Sequence, residues 1–317
     1  MNRDFYSGTL RNAMNSANSA IVSFGDIRTE QPGSAPSQIT SITCENFRNA
    51  DAQELKRQGV TTIVVPSEFR SLVDDQTLIK CRTVGIRVLN EIEFREMSSK
   101  SIDIDLLSNG WLAYGNTLGG GIARRIIERG FDVVLSLIIM VLTAPVLLVT
   151  ALAIKLDSKG PVFYRQTRVG LFGQPFEIVK FRSMKVDAEL AGAPVWATKR
   201  DSRVTRVGAI IRLLRIDELP QLFNVLKGEM SVIGPRPERP HFVDNLAAQI
   251  PHYRDRSVAK PGITGWAQVN YPYGASVEDA RRKLAYDLYY IKHRSLMMDF
   301  RICVATIRVI LLREGAR

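Results

Sequence analysis

The sequence has few of the residues that build cross-linked or metal-bound scaffolds. Among its 317 residues are three cysteines and three histidines. Cys44, Cys81 and Cys303 lie far apart, without the paired spacing of a disulfide framework or a zinc site. The histidines are scattered as well, which argues against a histidine-rich metal centre. We therefore expect a reducing compartment, and the polar N-terminal residues predict no signal peptide.

Negative charge is scarce relative to positive charge. The formal net charge is +11, whereas the apolar share of 45% and the charged share of 24% are ordinary for a folded protein. A basic balance indicates an anionic partner, which can be nucleic acid, an acidic membrane surface or a phosphate-bearing substrate. No nucleic-acid-binding motif is recognised, and a long uncharged segment argues against such a binder. The two other partners remain.

One uncharged stretch of 22 residues runs from Val133 to Ile154. Soluble helices rarely stay apolar on every face for this length, so a membrane helix is predicted. Pro145 lies near its middle and tends to bend a helix. Basic residues favour the cytoplasmic side, and both flanks are basic, which favours a helix that enters and returns over one that spans. The flanking cations are Arg124, Arg125, Arg129, Lys155, Lys159, Arg165 and Arg168.

The region before this segment divides in two. Residues 1–40 are rich in small polar residues and are predicted to be a flexible tail. In residues 41–118, the β-branched run at 60–65, a helical pattern at 67–80 and a short apolar run at 86–89 predict a strand, a helix and a parallel strand. This reduced Rossmann-like region has no Gly-rich phosphate loop, so no nucleotide site is predicted there. The sequence leaves the oligomeric state open, and this region is the expected contact surface of a homodimer.

Short elements follow the membrane segment. Strands are expected at 163–164 and 176–179, and a helix at 204–214. A second helix should begin at Ser276, where Asp279 stands at capping-box spacing, and run to about His293. The apolar stretch from Leu296 to Leu312 carries charges. It fits either an interfacial membrane helix or a packed amphipathic one.

The densest chemical signal is the pair Asp217-Glu218, followed by Pro220. On spacing alone, Asp217 is best interpreted as the cap of a helix with Pro220 in its first turn. The alternative is a phosphate site, because Arg212 and Arg215 precede the pair by a turn or less. A carboxylate among cations stays ionised and can act as a nucleophile or a metal ligand.

Further candidate residues are cations in rigid loops and one acid within a helix. Arg236 lies between two prolines, which suits bidentate phosphate binding. Lys180 and Arg182 share one face of a predicted strand, and Lys260 opens a rigid loop that carries Trp266. Asp287 is a mid-helix acid among tyrosines and therefore requires a partner, either a structural cation or a metal.

Five collinear stretches resemble the monotopic phosphoglycosyl transferases, also called bacterial sugar transferases. The resemblance extends from about Arg124 to the C-terminus. The matching stretches are Lys180-Phe-Arg-Ser-Met184, Asp217-Glu-Leu-Pro-Gln-Leu222, Asn224-Val-Leu-Lys-Gly228, Gly234-Pro-Arg-Pro237 and Lys260-Pro-Gly-Ile-Thr-Gly-Trp-Ala-Gln-Val269.

The resemblance implies a specific chemistry. Asp217 would attack the β-phosphate of a UDP-sugar and release UMP, and the covalent phosphosugar would pass to polyprenol phosphate. Glu218 would act as a base or position a Mg²⁺ ion, for which Asp217 and Asp287 are the expected ligands. Phosphate binding is expected of Lys180, Arg182, Arg212, Arg236 and Lys260. The enzyme would act at the cytoplasmic face of the bacterial inner membrane in exopolysaccharide assembly.

The same resemblance sets the expected fold, a mixed α/β chain. A linker and a re-entrant helix, broken at Pro145, would occupy residues 119–156, and a mainly helical catalytic domain with short strands and interfacial helices residues 157–317. The sequence departs from the family where Ala144 precedes Pro145 and where Arg215-Ile216 precedes the acidic pair. The competing hypotheses are a membrane-bound glycosyltransferase that releases UDP and a non-enzymatic scaffold for polysaccharide export.

Overall fold

The computed structural model describes residues 20–23, 39–41, 47, 50–108, 110–113, 121–186, 203–271, 274 and 276–311. The chain divides into two compact units, of which the first ends at Asp103 and the second begins at Ile104. The predicted fold class is confirmed in its coarse form, since the chain mixes helices with short strands and contains one long apolar helix.

The first unit is built on a parallel sheet of four short strands. Its strands are β1 (Ala20–Ser23), β2 (Ile39–Ser41), β3 (Val60–Val65) and β4 (Arg87–Asn90). They lie in the order β2-β1-β3-β4. The parallel pairing of β3 with β4 agrees with the sequence prediction. The consecutive residues Ile63 and Val64 in β3 are both fully buried, because this strand lies inside the sheet and packs on both faces.

In the described part of the first unit, three helices accompany this sheet. They are α1 (Ala52–Arg57), α2 (Asp75–Thr83) and α3 (Glu91–Ser99). A 3-10 turn at Ser67–Phe69 occupies the start of the stretch that was predicted as one helix from 67 to 80. β1 lies within the predicted flexible tail 1–40, so that prediction is wrong for residues 20–23. β2 begins at the end of the same stretch. The other residues of that prediction, except for the start of β2, lie outside the described part of the chain.

The second unit begins with a 3-10 turn at Ile104–Leu106 and the long helix α4 (Ile122–Asp157). Among the residues that the structure describes, α4 is the one helix that is long and apolar enough to cross a membrane. Its central side chains are exposed, as Leu142 and Leu148 at 74% each illustrate. Helical structure continues through Pro145, so the predicted interruption of the helix is not found at this residue, and a change of direction here would be a bend within one helix.

Both ends of α4 are attached to the rest of the second unit. Near the first end, the Asp132 carboxylate accepts hydrogen bonds from Ser231 Oγ (2.8 Å) and from the Val232 amide (2.9 Å). At the other end, Ile154 packs against Phe181 and Ile211 in a small apolar cluster. The exposed stretch therefore lies between two docked ends.

A hairpin and a row of short elements complete the second unit. The hairpin pairs β5 (Phe163–Val169) with β6 (Pro175–Phe181), two strands that contain the predicted segments 163–164 and 176–179 and are longer than them. The helices that follow are α5 (Arg206–Leu213), α6 (Leu222–Lys227), α7 (Pro240–Ala247), α8 (Trp266–Asn270), α9 (Val277–His293) and α10 (Leu296–Leu311). Further 3-10 segments in the described residues span Leu171–Gly173, Ile216–Gln221 and Tyr253–Val258. The predicted capping box of α9, between Ser276 and Asp279, is present.

Two parallel strands, β7 (Ser231–Ile233) and β8 (Gly262–Thr264), bring the Gly-Pro-Arg-Pro and Pro-Gly-Ile-Thr-Gly motifs side by side. A side chain on Gly234 would overlap the Lys260 carbonyl oxygen, and one on Gly262 would overlap the Gly234 amide nitrogen. The two backbones are thus in direct contact, which only glycine allows at these positions. This contact fixes the segment that carries Arg236.

Candidate active site

A buried carboxylate, Glu218, joins three separate elements of the second unit. Lys180 on β6 donates from Nζ to Glu218 Oε1 over 2.9 Å. Arg236, in the loop after β7, binds both carboxylate oxygens, with Nη2 on Oε1 and Nη1 3.2 Å from Oε2. Glu218 itself lies in the 3-10 segment Ile216–Gln221 and is 8% exposed. The structure therefore brings together the predicted residues Lys180, Glu218 and Arg236.

Electrostatics keep Glu218 ionised in spite of its burial. Burial alone raises the pKa of this carboxyl, but the charges and hydrogen bonds of Arg236 and Lys180 outweigh it and hold the pKa well below its ordinary value. Burial lowers the pKa of Lys180, and the opposing pull of Glu218 does not fully restore it. The charged forms of Glu218 and Lys180 are thus stabilised by their mutual attraction rather than by solvent.

Asp217 has the opposite environment. Burial, followed by the neighbouring charge of Glu218, raises its pKa to about 6, while Lys180, Arg236 and Arg212 pull it down. No hydrogen bond to the Asp217 carboxylate is found among the described residues. Its oxygens therefore keep their lone pairs for an incoming group. Arg212, on α5, is close enough for its charge to act on Asp217.

The interpretation of Asp217 as a helix cap is wrong. Asp217 lies inside the first turn of the 3-10 segment, and the residue in the capping position is Arg215, in the left-handed conformation with φ 59°. No side-chain hydrogen bond caps this segment, and the α-helix begins only at Leu222. A local structural role thus does not account for Asp217.

Two predicted phosphate-binding residues lie elsewhere. The Arg182 guanidinium donates to the carbonyl oxygens of Lys159 (3.0 Å) and Ser158 (2.8 Å), beyond the end of α4. Arg182 is 5% exposed, so it holds the chain after the membrane helix and does not join Glu218. Lys260 lies beside Arg129 and the Asp132 carboxylate, near the first end of α4.

Asp287, on α9, has the cation partner that its mid-helix position requires. Arg256 Nη2 lies 2.7 Å from Asp287 Oδ2, and the two side chains are 11% and 3% exposed. Burial raises the pKa of Asp287 to about 6, against the charge of Arg256. The partner of Asp287 in the described structure is therefore the cation Arg256, which is one of the two alternatives that the sequence left open.

Arg256, Glu238 and Arg168 form a network beside Arg236 that was not predicted. The Arg256 guanidinium donates to the Arg236 carbonyl oxygen (3.0 Å) and to Tyr253 Oη (3.1 Å), and Glu238 lies 3.9 Å from it. The one sequence signal for this network was the isolated acid within α9, which called for a partner without naming it.

The donor set fits Mg²⁺ in part. Magnesium is commonly held by one or two carboxylates together with substrate phosphate oxygens. The half-buried Asp217 carboxylate, which lacks a hydrogen-bond donor in the described region, suits such a ligand. No group of three or more metal-binding side chains occurs among the described residues. A magnesium ion here would therefore be completed by substrate phosphate oxygens and water.

Comparison with known proteins shows the family of the chain. The bacterial sugar transferase family matches residues 123–313. A UDP-N-acetylgalactosamine-undecaprenyl-phosphate N-acetylgalactosaminephosphotransferase of Aeromonas hydrophila is 42% identical over 300 residues, covering 94% of this chain and 68% of the relative. A UDP-glucose:undecaprenyl-phosphate glucose-1-phosphate transferase of Caulobacter vibrioides is 45% identical over 204 residues, covering 62% and 76%.

A second glucose-1-phosphate transferase of the same description, from Escherichia coli, is 43% identical over 196 residues, which are 61% of this chain and 42% of the relative. Taken together, these matches make the chain a transferase. Because the family covers more than half of the chain and the Aeromonas relative aligns along nearly all of it, the chain belongs to the bacterial sugar transferase family. With its long apolar helix, it is a membrane-associated member.

The two neighbouring acids should differ in their effect on stability. Glu218→Gln leaves Lys180 and Arg236 without their shared counter-charge, so we expect a loss of about 3 kcal/mol, or roughly 6–12 °C in Tm. Asp217→Asn removes a charge that burial and Glu218 disfavour, so its Tm should equal or exceed that of the wild type. Thermal unfolding of the detergent-solubilised protein measures both. Equal Tm values for the two variants would contradict this account of Glu218.

The raised pKa of Asp217 predicts an acid limit on turnover. If the ionised form reacts, kcat/KM falls as the pH drops through about 6. Arg212 lowers this pKa, so Arg212→Gln should move the acid limb to higher pH. Arg206→Gln removes the same charge from an exposed site on the same helix and serves as the control. An acid limb that Arg212→Gln leaves in place would assign it to another group, such as Asp287.

Proposed function

We propose that this protein transfers a sugar 1-phosphate from a UDP-sugar to polyprenol phosphate, at the cytoplasmic face of the bacterial inner membrane. The observation that carries the proposal is the pairing of two unlike acids. Asp217 has no hydrogen-bond partner among the described residues, and it adjoins Glu218, which is held between Lys180 and Arg236. Adjacent carboxyl groups whose pKa values diverge in this way are suited to different roles.

In the first step, an Asp217 carboxylate oxygen attacks the β-phosphorus of the UDP-sugar. A bond forms between this oxygen and phosphorus, and the bond to the bridging oxygen breaks. That oxygen leaves with the electron pair as part of UMP. At neutral pH a carboxyl group with a pKa of about 6 is mostly ionised, so Asp217 needs no base to act as a nucleophile.

In the second step, a phosphate oxygen of the polyprenol phosphate attacks the same phosphorus. The bond to Asp217 breaks, its carboxylate is restored, and a polyprenyl diphosphate sugar is formed. The two anionic substrates would repel each other if they bound together. A covalent intermediate lets them use one site in turn.

The surrounding cations would stabilise the charge on the transferred phosphoryl group. The Arg236 side chain keeps 34% of its surface exposed while it binds Glu218, so part of its guanidinium can contact phosphate. Lys180 is 17% exposed and binds the Oε1 oxygen of the same carboxylate. Glu218 would hold both cations in place rather than react itself. This arrangement supplies preorganised positive charge in a partly dry site.

Magnesium is proposed as the cofactor. Asp217 would hold the ion together with diphosphate oxygens of the donor. The bound ion would neutralise charge on the leaving UMP. Metal binding by Asp287 stays a prediction. Arg256 already binds one of the two oxygens of its carboxylate.

The membrane topology that fits best is a helix that enters and leaves on one side. Asp132 and Asp157 both bind backbone amides of the same unit, through Val232 and Val207. A straight helix would separate these two acids by about 37 Å, more than the roughly 30 Å hydrocarbon core of a bilayer. A spanning helix would place them on opposite sides, where one unit could not bind both.

An apolar face on α10 supports attachment to the membrane surface. Exposed side chains recur along one side of this helix, at Leu296, Phe300, Val304 and Ile307, with exposures from 50% to 62%. The opposite side holds the buried Ile302 and a hydrogen bond between Thr306 and Thr264. α10 is therefore packed on one side and free to lie in the lipid interface on the other.

The direct test is to incubate the purified protein with Mg²⁺, undecaprenyl phosphate and a panel of UDP-sugars. UDP-N-acetylgalactosamine and UDP-glucose should head the panel, since the relatives carry these sugars in their names. We expect stoichiometric release of UMP and formation of a lipid diphosphate sugar, both abolished by Asp217→Asn. Release of UDP would instead support a glycosyltransferase, and no lipid product with any donor would support a scaffold.

A further inference from the structure

The backbone that carries Arg236 is held at four successive carbonyl oxygens. The oxygens of Pro235 and Glu238 accept hydrogen bonds from the Gly262 and Val169 amides, each with a length of 2.9 Å. The two between them have no backbone donor in the described structure. They are bound by arginine side chains, with Arg256 Nη2 3.0 Å from the Arg236 oxygen and Arg168 Nη1 3.3 Å from the Pro237 oxygen.

Of these two arginines, Arg256 is the more firmly fixed. Its guanidinium is bound by the Asp287 carboxylate at 2.7 Å and by Tyr253 Oη at 3.1 Å, and it lies over the Tyr253 ring at 5.3 Å. Its side chain is 11% exposed and Asp287 is 3% exposed. Arg256 therefore acts within the protein interior, on the backbone of Arg236.

Geometry limits what else could fill this position. One nitrogen, Nη2, serves both the Arg236 carbonyl and the Asp287 carboxylate, while Nη1 serves Tyr253 on the other side. This requires the planar fork of a guanidinium. A lysine would keep the positive charge, but its single ammonium group cannot occupy all three directions of the fork.

We infer that Arg256 is a positioning residue for Arg236, and that Asp287 is the counter-ion that holds Arg256 in place. Two prolines fix the backbone torsions on either side of Arg236. Arg256 fixes the position of the Arg236 carbonyl group between them. The guanidinium of Arg236 is thereby presented to Glu218 and to substrate phosphate with little freedom. The inference rests on the proposed function only for the identity of that phosphate.

A double-mutant cycle tests whether Arg256 acts through Arg236. We expect Arg256→Lys to lower kcat/KM ten- to a hundredfold, with a matching loss of affinity for UMP, while Tm changes by only a few degrees. In an Arg236→Gln background the same substitution should change either quantity less than twofold, because the group it positions is already gone. Arg254→Lys, at a 68% exposed site in the same 3-10 segment, is the matched control and should match the wild type.

Losses from Arg256→Lys that are equally large in both backgrounds would overturn the inference, since Arg256 would then contact the substrate directly or serve stability alone. Binding of UMP by calorimetry needs no turnover, so the cycle can be read even if lipid product is never formed. In that case the proposed function fails while the positioning role is still decided.

Variants of Asp287 distinguish its role as a counter-ion from a role as a metal ligand. As a counter-ion, Asp287→Asn should reduce UMP affinity to the same extent as Arg256→Lys, with no further loss when the two are combined. The Mg²⁺ concentration for half-maximal rate should stay within twofold of the wild type. A several-fold rise in that concentration, or additive losses of UMP affinity, would overturn the counter-ion role.

Discussion

The carboxylate of Glu218 binds two cations that come from distant parts of the chain, and the arrangement of the site depends on this contact. Lys180 comes from a hairpin strand and Arg236 from a loop between two parallel strands. Without the shared negative charge, two partly buried cations would face each other at short range, which would weaken the contact between the three elements. The same charge acts on Asp217 and helps to raise its pKa to about 6. The state of the proposed nucleophile is thus set by its neighbour.

Support for this contact spreads outwards through backbone oxygens. Glycines at 234 and 262 let two strands touch, and Arg256 and Arg168 hold the loop that carries Arg236. The anchoring of α4 follows the same logic, because Asp132 and Asp157 bind amides of the unit that contains the site. We therefore regard the membrane helix and the proposed site as parts of one packed unit.

The sequence predicted best where the signal is local. The strands of the β5–β6 hairpin, the parallel β3–β4 pair and the capping box of α9 follow from residue patterns within about 30 positions. Strand β1 was missed because its four residues lie in a polar region and gain their stability by pairing with β3, about 40 residues later. Distant pairing leaves no periodic trace in a short segment.

The site divides in the same way. Asp217, Glu218, Lys180 and Arg236 could be named from their motifs, but the helix cap proposed for Asp217 was wrong because Arg215 adopts a left-handed conformation. Lys180 and Arg182 share one side of a strand in sequence, yet one binds Glu218 and the other binds carbonyls after α4. The partner of Asp287 lies 31 residues away, and only the folded chain identifies it as Arg256.

The central claim is that Asp217 carries the sugar phosphate between the two substrates. Its most direct test is to mix the protein with Mg²⁺ and a reactive UDP-sugar in the absence of polyprenol phosphate, quench in acid, and map the modified peptide by mass spectrometry. The account predicts a phosphosugar adduct on Asp217 that disappears when the lipid acceptor is added. An unmodified Asp217 at a time when UMP has been released, or an adduct on a different residue, would contradict it.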